Sequence, residues 1–379
     1  MNNSRVYAFD LIRALAAILV IIFHAGLPYL TNNISPWMIT DPVEGSKIVD
    51  LTVWLSHRFQ MHLFFIMSGY FANQVIAKKG LATFFTARIK KIFIPLLIGG
   101  IILLPLIVEF FEKKIIPAGI FNGNFQNPYR IENWSKVLLA HLWYLYYLMG
   151  FSLLLIPMVK FSLLKKLGQF FQANSKLALI MFCSIVFSIH LMMNSPLSIN
   201  DTLSFKIDWL VFGYYFVFFC AGYLINEDSN LEKISELPTR VLVFTSGASA
   251  VVSLILITIK NELAPSFSPV FMDLMISVTT TIYCLAILLA IFNTCYKSYN
   301  QKNVVFSYLS DASYAVYIVH LPFVILFQRM AYFWQVPALL KWGIVGFATL
   351  ACSFLFYQLI VRYSPIGTFL HGKRAFPSA

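Results

Sequence analysis

Asp10-Leu-Ile-Arg13-Ala-Leu-Ala-Ala-Ile-Leu-Val-Ile-Ile-Phe-His24 is an apolar run with an arginine near one end and a histidine at the other. On a helix of ~3.6 residues per turn, positions eleven apart are about three turns apart and lie on one stripe, separated by roughly 16 Å. Ionisable side chains are costly in lipid, so two of them aligned on one face imply a buried polar path or site.

The rest of the chain agrees that this run sits in a membrane. Of 379 residues, 59% are hydrophobic and 12% charged, about half the charge of an ordinary soluble domain. Mean hydropathy is +0.75, and the 37 Phe and 19 Tyr suit lipid-facing and interfacial positions. Ten apolar stretches are long enough to cross a bilayer as helices, near 10–30, 51–76, 91–111, 137–159, 176–195, 207–226, 239–259, 270–293, 304–330 and 336–362. The expected fold is all-α, a polytopic membrane protein with about ten transmembrane helices. With no long linker and no internal repeat, residues 1–379 read as a single integral-membrane domain.

Charge sets the expected orientation. Seventeen Lys and Arg fall in one set of alternate loops and nine in the other, so the positive-inside rule predicts N-in and C-in. The net charge of +12 is spread over short loops, which accounts for it without a nucleic-acid partner. The acidic Asp10 and the cationic Arg13 interrupt the pattern of a cleavable signal. All five cysteines lie in or beside apolar runs without metal spacing, and read as small buried hydrophobes.

Depth then sorts the polar groups. Arg13 falls near the cytoplasmic mouth, where Arg88, Lys90 and Lys91 also lie, and His24 falls in the outer half. His57 and Arg58 are about two turns below the outer surface, with His62 deeper. His141 opens the fourth span and His320 lies in the outer half of the ninth. Five of the seven histidines are thus expected in one outer cavity, and His190 reads as structural or interfacial. Asp10 is about four turns from His24, so its place is near Arg13. No metal site is expected: no His pair has i, i+4 spacing, and His57 and His62, five apart, point in different directions. The chain has no G-x-S-x-G elbow, no H-E-x-x-H and no Walker A loop.

Four stretches carry a family resemblance. Phe9-Asp10-Leu-Ile-Arg13-Ala-Leu-Ala with His24 resembles the opening signature of the membrane-bound acyltransferase 3 family. Phe64-Phe65-Ile-Met-Ser68-Gly69-Tyr70-Phe71 is similar to its second-span motif. Arg88-Ile-Lys-Lys91 resembles its R-x-x-R motif, with lysine in place of the last arginine, and Ser313-Tyr314-Ala-Val-Tyr317-Ile-Val-His320 is similar to its late motif. The matches run in order from residue 9 to residue 320. Ser56-His57-Arg58-Phe59-Gln60-Met61-His62 and His141-Leu-Trp143-Tyr144-Leu145 most resemble the branch that succinylates osmoregulated periplasmic glucans.

The resemblance implies transfer of an acyl group, succinyl in that branch, from cytoplasmic acyl-CoA to hydroxyls of periplasmic glucans across the bacterial inner membrane. Acyl-CoA is then a co-substrate, with no permanently bound cofactor. Under it, Arg13, Arg88, Lys90 and Lys91 would hold the donor's phosphates. His24 would act as general base or carry the acyl group, and His57, Arg58, His62, His141 and His320 would line the substrate site. Arg58 would pair with a succinyl carboxylate. The Lys91 departure keeps phosphate attraction but loses bidentate geometry. Two other readings stand beside it: O-acetylation of a surface polysaccharide, and transport of an anionic solute along the polar path.

Overall fold

The computed structural model describes residues 6–32, 37, 39–112, 139–193, 205–225, 228–263 and 268–371. The expected loop 112–136, except Glu112, and the cations Arg5, Lys113, Lys114, Arg130, Lys136, Lys373 and Arg374 lie outside them. Regular structure among the described residues is helical throughout: α1 (Ala8–Gly26), α2 (Lys47–His57), α3 (Gln60–Arg88), α4 (Ile94–Glu112), α5 (Trp143–Lys160), α6 (Leu163–Ala173), α7 (Ser175–Met192), α8 (Trp209–Leu224), α9 (Asp228–Glu236), α10 (Thr239–Leu263), α11 (Pro269–Tyr299), α12 (Val304–Ala331), α13 (Ala338–Phe356) and α14 (Pro365–His371). Local chemistry fixes two of the starts. Asp208 accepts from the amides of Leu210 and Val211 at 3.0 and 3.2 Å, and Asn303 from those of Val305 and Phe306 at 2.9 and 3.1 Å. Each satisfies amides that a first turn leaves open.

Every one of the ten expected stretches holds a helix. Seven helical segments are long and apolar enough to cross a membrane, and Lys176–Met192 and Trp209–Leu224 are apolar but shorter. One of the seven, Lys47–Ile107, runs for 61 residues and covers the second expected span and most of the third. It is not one straight rod. Gly80 takes φ +78°, a conformation glycine adopts at no steric cost. Arg88 Nη2, eight residues beyond it, donates to the carbonyl of Ser68 at 3.2 Å. Twenty residues of straight helix would hold those two about 30 Å apart, so the chain doubles back at Gly80. A π-helical turn, Ile89–Phe93, then leads into α4.

Two glycines let α3 and α8 cross backbone to backbone. A Cβ at Gly69 would lie 1.9 Å from the Phe219 carbonyl oxygen, and one at Gly222 would lie 2.0 Å from that of Ile66. Around this crossing Phe65, Tyr144, Phe151, Tyr215 and Phe218 form an aromatic core. The other seam joins α1 to α12 and α13. Trp342 Nε1 donates to the Ile22 carbonyl at 3.0 Å and Gln328 Nε2 to that of His24 at 2.7 Å, which ties the end of α1 to α12 and α13. On the same side, Lys341 Nζ meets Asp41 Oδ2 at 2.7 Å with both side chains buried. Asp41 N also bonds the Pro28 carbonyl at 3.0 Å, and Ser46 N that of Tyr29 at 2.9 Å. The chain between α1 and α2 is thereby fastened to α13.

The crossing makes a direct prediction. Gly69→Ala or Gly222→Ala forces α3 and α8 apart and is expected to cost about 1–3 kcal/mol, read as a lower thermal-unfolding midpoint in detergent. Gly213→Ala, on α8 with open space around its Cβ position, is expected to leave the midpoint unchanged or raise it.

Candidate active site

Three histidines from three separate parts of the chain meet at one end of the α1–α12 seam. His24 lies near the end of α1, His320 within α12, and His141 in the 3₁₀ turn Ala140–Leu142 that precedes α5. The His320 ring centroid is 5.1 Å from that of His24 and 5.1 Å from that of His141. Ala140 holds φ +40°, which is uncommon for a residue with a side chain. The Tyr317 hydroxyl donates to the His141 carbonyl, which fixes this turn to α12.

Carbonyl acceptors determine which ring nitrogens carry protons, because a carbonyl only accepts. His24 Nδ1 lies 2.8 Å from the Val20 carbonyl, His320 Nδ1 2.6 Å from that of Tyr317, and His141 Nε2 2.9 Å from that of Ile318. His24 and His320 are therefore Nδ1–H tautomers and His141 is an Nε2–H tautomer. The lone pair on His320 Nε2 then faces the His24 Nδ1–H across 3.3 Å, so that proton is shared between Val20 and His320. The basic nitrogen of His24 is Nε2. His320 and His141 are buried while His24 is partly exposed, and the Trp37 ring lies 5.9 Å from it. A partly exposed imidazole, oriented from behind by a buried one, has the arrangement of a general base.

The basic residues assemble at the other end of the seam. Arg13 Nη1 donates to Ser310 Oγ at 3.1 Å, and its guanidinium lies 4.7 Å from the centroid of the Phe71 ring. Ser310 and Ser307 donate to the two carboxylate oxygens of Asp10, each at 3.2 Å, so Asp10 shares Ser310 with Arg13 and is remote from His24. Arg88, on the returning limb of the Gly80 turn, packs against Phe84 at 4.8 Å. Ser68 Oγ and the Tyr144 hydroxyl are 2.7 Å apart, and that hydroxyl lies within electrostatic range of both Arg88 and Arg13. Lys90 and Lys91 are exposed on the π turn. The Lys91 carbonyl accepts from Tyr314 at 2.5 Å, and its side chain lies in range of Arg13, Arg88 and Lys79. The result is a cationic mouth suited to phosphate.

The expected gathering of five histidines divides. His24, His141 and His320 form the cluster. His57, at the end of α2, stacks on Phe23 at 4.6 Å and so flanks it. His62 bonds the Tyr214 hydroxyl at 3.1 Å and packs on Phe218 at 4.4 Å. Beside it, His190 meets Thr281 Oγ1 at 3.0 Å as a buried interhelical bond. The reason is local: α2 ends at His57 and α3 begins at Gln60, so His57 faces α1 while His62 faces α8. Arg58 sits in the break, 2% exposed, with its guanidinium 5.2 Å from the Trp54 ring centroid. Among the described residues no group of three His, Cys, Asp or Glu is arranged to hold a metal.

Several participants were not assigned roles from sequence. Ser68, Tyr144, Tyr314 and Tyr317 stand inside the motif stretches, yet only their cross-helix bonds explain them. Ser310 lies three residues before the late motif, and only its bonds to Arg13 and Asp10 mark it out.

The profile of the family described as Acyltransferase domain, acyltransferase 3, matches residues 6–358. Glucans biosynthesis protein C of Escherichia coli O1:K1 is 25% identical over 338 residues, 86% of this chain and 83% of that protein. The protein of the same name from E. coli strain K12 DH10B is 24% identical over the same length. No solved structure matches.

The tautomers are open to measurement. Nitrogen-15 NMR of histidine-labelled protein in detergent is expected to show Nδ1–H signals for His24 and His320 and an Nε2–H signal for His141, assigned by loss of each signal in the corresponding Ala variant. An Nε2–H signal for His24 would overturn the arrangement.

Proposed function

The chain belongs to the acyltransferase 3 family and is a membrane acyltransferase, and from that premise we propose that it moves a succinyl group from cytoplasmic acyl-CoA to hydroxyls of a periplasmic glucan across the bacterial inner membrane. The observation that carries this reading is the division of labour along one helix pair. Arg13 meets Ser310 at one end of α1–α12, and His24 meets His320 at the other. A phosphate-seeking mouth and an imidazole base separated by about 16 Å of helix suit a donor with a charged head and a thioester at the end of a long arm. The relatives named for glucan biosynthesis favour a glucan acceptor. The cation count favours ten crossings with both termini cytoplasmic.

Arg13, Arg88, Lys90 and Lys91 hold the donor's phosphates, and Lys79 adds charge beside them. At the other end, His24 Nε2 takes the proton of the acceptor hydroxyl as its oxygen attacks the thioester carbonyl. The C–S bond breaks, the proton passes from the imidazolium to the departing thiolate, and the products are an ester and free CoA. The accepting nitrogen of His320 stabilises the imidazolium through the His24 Nδ1–H. His141 lines the acceptor side and His57 the flank towards Phe23. Arg58, beside His62 in the neighbouring polar group, supplies the cationic side chain towards which a succinyl carboxylate would extend, a preference that acetyl cannot exploit.

Membranes incubated with labelled succinyl-CoA and periplasmic glucan, with products read by mass spectrometry, test this directly. His24→Ala is expected to lower transfer by at least about 10²-fold, and Arg13→Ala to raise the donor KM. Wild-type protein that labels no glucan, or that moves a solute without acylating it, would overturn the proposal. Arg58→Ala is expected to bring succinyl-CoA and acetyl-CoA to equal use, and an unchanged succinyl preference would remove Arg58 from the acyl site.

A further inference from the structure

Helix α6 has no part in the acyl-transfer site, and its sequence, Leu163-Leu-Lys-Lys-Leu-Gly-Gln-Phe-Phe-Gln-Ala173, is unlike that of its neighbours. It is eleven residues long, about 16 Å against a hydrocarbon core of roughly 30 Å, so it does not cross. It follows α5 through a sharp corner. Ser162 adopts the left-handed conformation with φ +55°, while Phe161 N bonds the Pro157 carbonyl at 2.9 Å and Ser162 N that of Val159 at 3.0 Å. At the far end Asn174 bonds back to Phe170 through both its backbone and side-chain nitrogens, at 3.0 and 3.2 Å, and α7 begins.

Its circumference has three sectors. Leu164 is buried in the aromatic core, with Leu167, Gly168 and Phe171 partly covered beside it. A Cβ at Gly168 would lie 3.5 Å from Leu224 at the end of α8, so this sector faces the bundle. Leu163 and Phe170, seven residues apart and hence on one stripe, are 49% and 40% exposed, and Phe161 at the corner is 70% exposed. On the remaining sector Lys165, Lys166, Gln169 and Gln172 are exposed. Lys160 and Lys176, just outside the helix, are exposed as well, and the segment 160–176 contains no Asp or Glu.

We propose that α6 lies in the plane of the membrane surface and binds the headgroups of anionic phospholipids. The bundle takes one sector, the acyl boundary takes the Phe161–Leu163–Phe170 flank, and the lysines meet lipid phosphates from the aqueous side. An in-plane helix with a lysine-rich polar face and an aromatic apolar edge is bound by both effects together. The four lysines, with no acid among them, select an anionic surface over a zwitterionic one.

The full-length protein is reconstituted in nanodiscs of equimolar phosphatidylglycerol and phosphatidylcholine, and the lipids retained on release are counted by native mass spectrometry. Wild-type protein is expected to retain phosphatidylglycerol preferentially. Lys165→Gln/Lys166→Gln removes two exposed charges that the fold does not use, and is expected to lower that retention by about fivefold or more. Lys165→Arg/Lys166→Arg is expected to keep it. Lys233→Gln/Lys302→Gln, an equal charge change at exposed positions elsewhere, is expected to leave it unaltered. No phosphatidylglycerol preference in the wild type, equal retention by the wild type and the α6 Gln pair, or an equal loss in the two Gln pairs, would overturn the proposal.

Discussion

Arg13 on Ser310 and His24 on His320 are two contacts between the same two helices, α1 and α12, at opposite ends of one seam. Neither helix could place its polar groups alone, because an arginine or histidine on a lone apolar helix has only lipid or its own backbone to face. Pairing the helices gives the polar group at each end a partner on the facing helix. The end of α1 is fastened by Gln328 and Trp342, and the chain leaving it is tied to α13 through the buried Asp41–Lys341 pair. The position of His24 therefore depends on four elements packing at once.

The remainder of the bundle serves that seam from the side. The Gly80 reversal brings Arg88 back to Ser68, so a residue twenty positions along the chain stands beside the second-span motif. The glycine-lined crossing of α3 and α8 holds α3, whose Phe65 and Ser68 meet Tyr144 of α5 beside the mouth. The His62–Tyr214 and His190–Thr281 bonds lie on the far side of this crossing. They join α3, α7, α8 and α11 through buried polar contacts, each of which satisfies groups that would otherwise be stranded in an apolar interior.

Much of this was legible from residue spacing. The apolar runs gave the helices, and the separation of Arg13 from His24 gave a polar line with a cationic end and an imidazole end. The grouping of histidines was only partly legible. Depth placed five of them in one layer, but depth is one coordinate, and the azimuth of each residue depends on where its helix starts. The break between His57 and Gln60 turned His57 towards α1 and His62 towards α8, and a hydropathy pattern does not register so short a break. The reversal between the expected spans 51–76 and 91–111 was legible in the basic gap that separates them, but the return of Arg88 to the Ser68 carbonyl was not.

The sequence by itself determined the class of the fold, its helical segments, the family and the chemical character of each end of α1, because these follow from hydrophobic length, charge and the order of motifs along one chain. Only the tertiary structure decided which histidines meet and, through the Ile318 carbonyl, which nitrogen of His141 carries its proton. It also decided which serines and tyrosines hold the arginines in place. Those facts depend on carbonyls and hydroxyls contributed by residues up to about three hundred positions away, and local sequence carries no record of which distant group will lie within 3 Å of a ring.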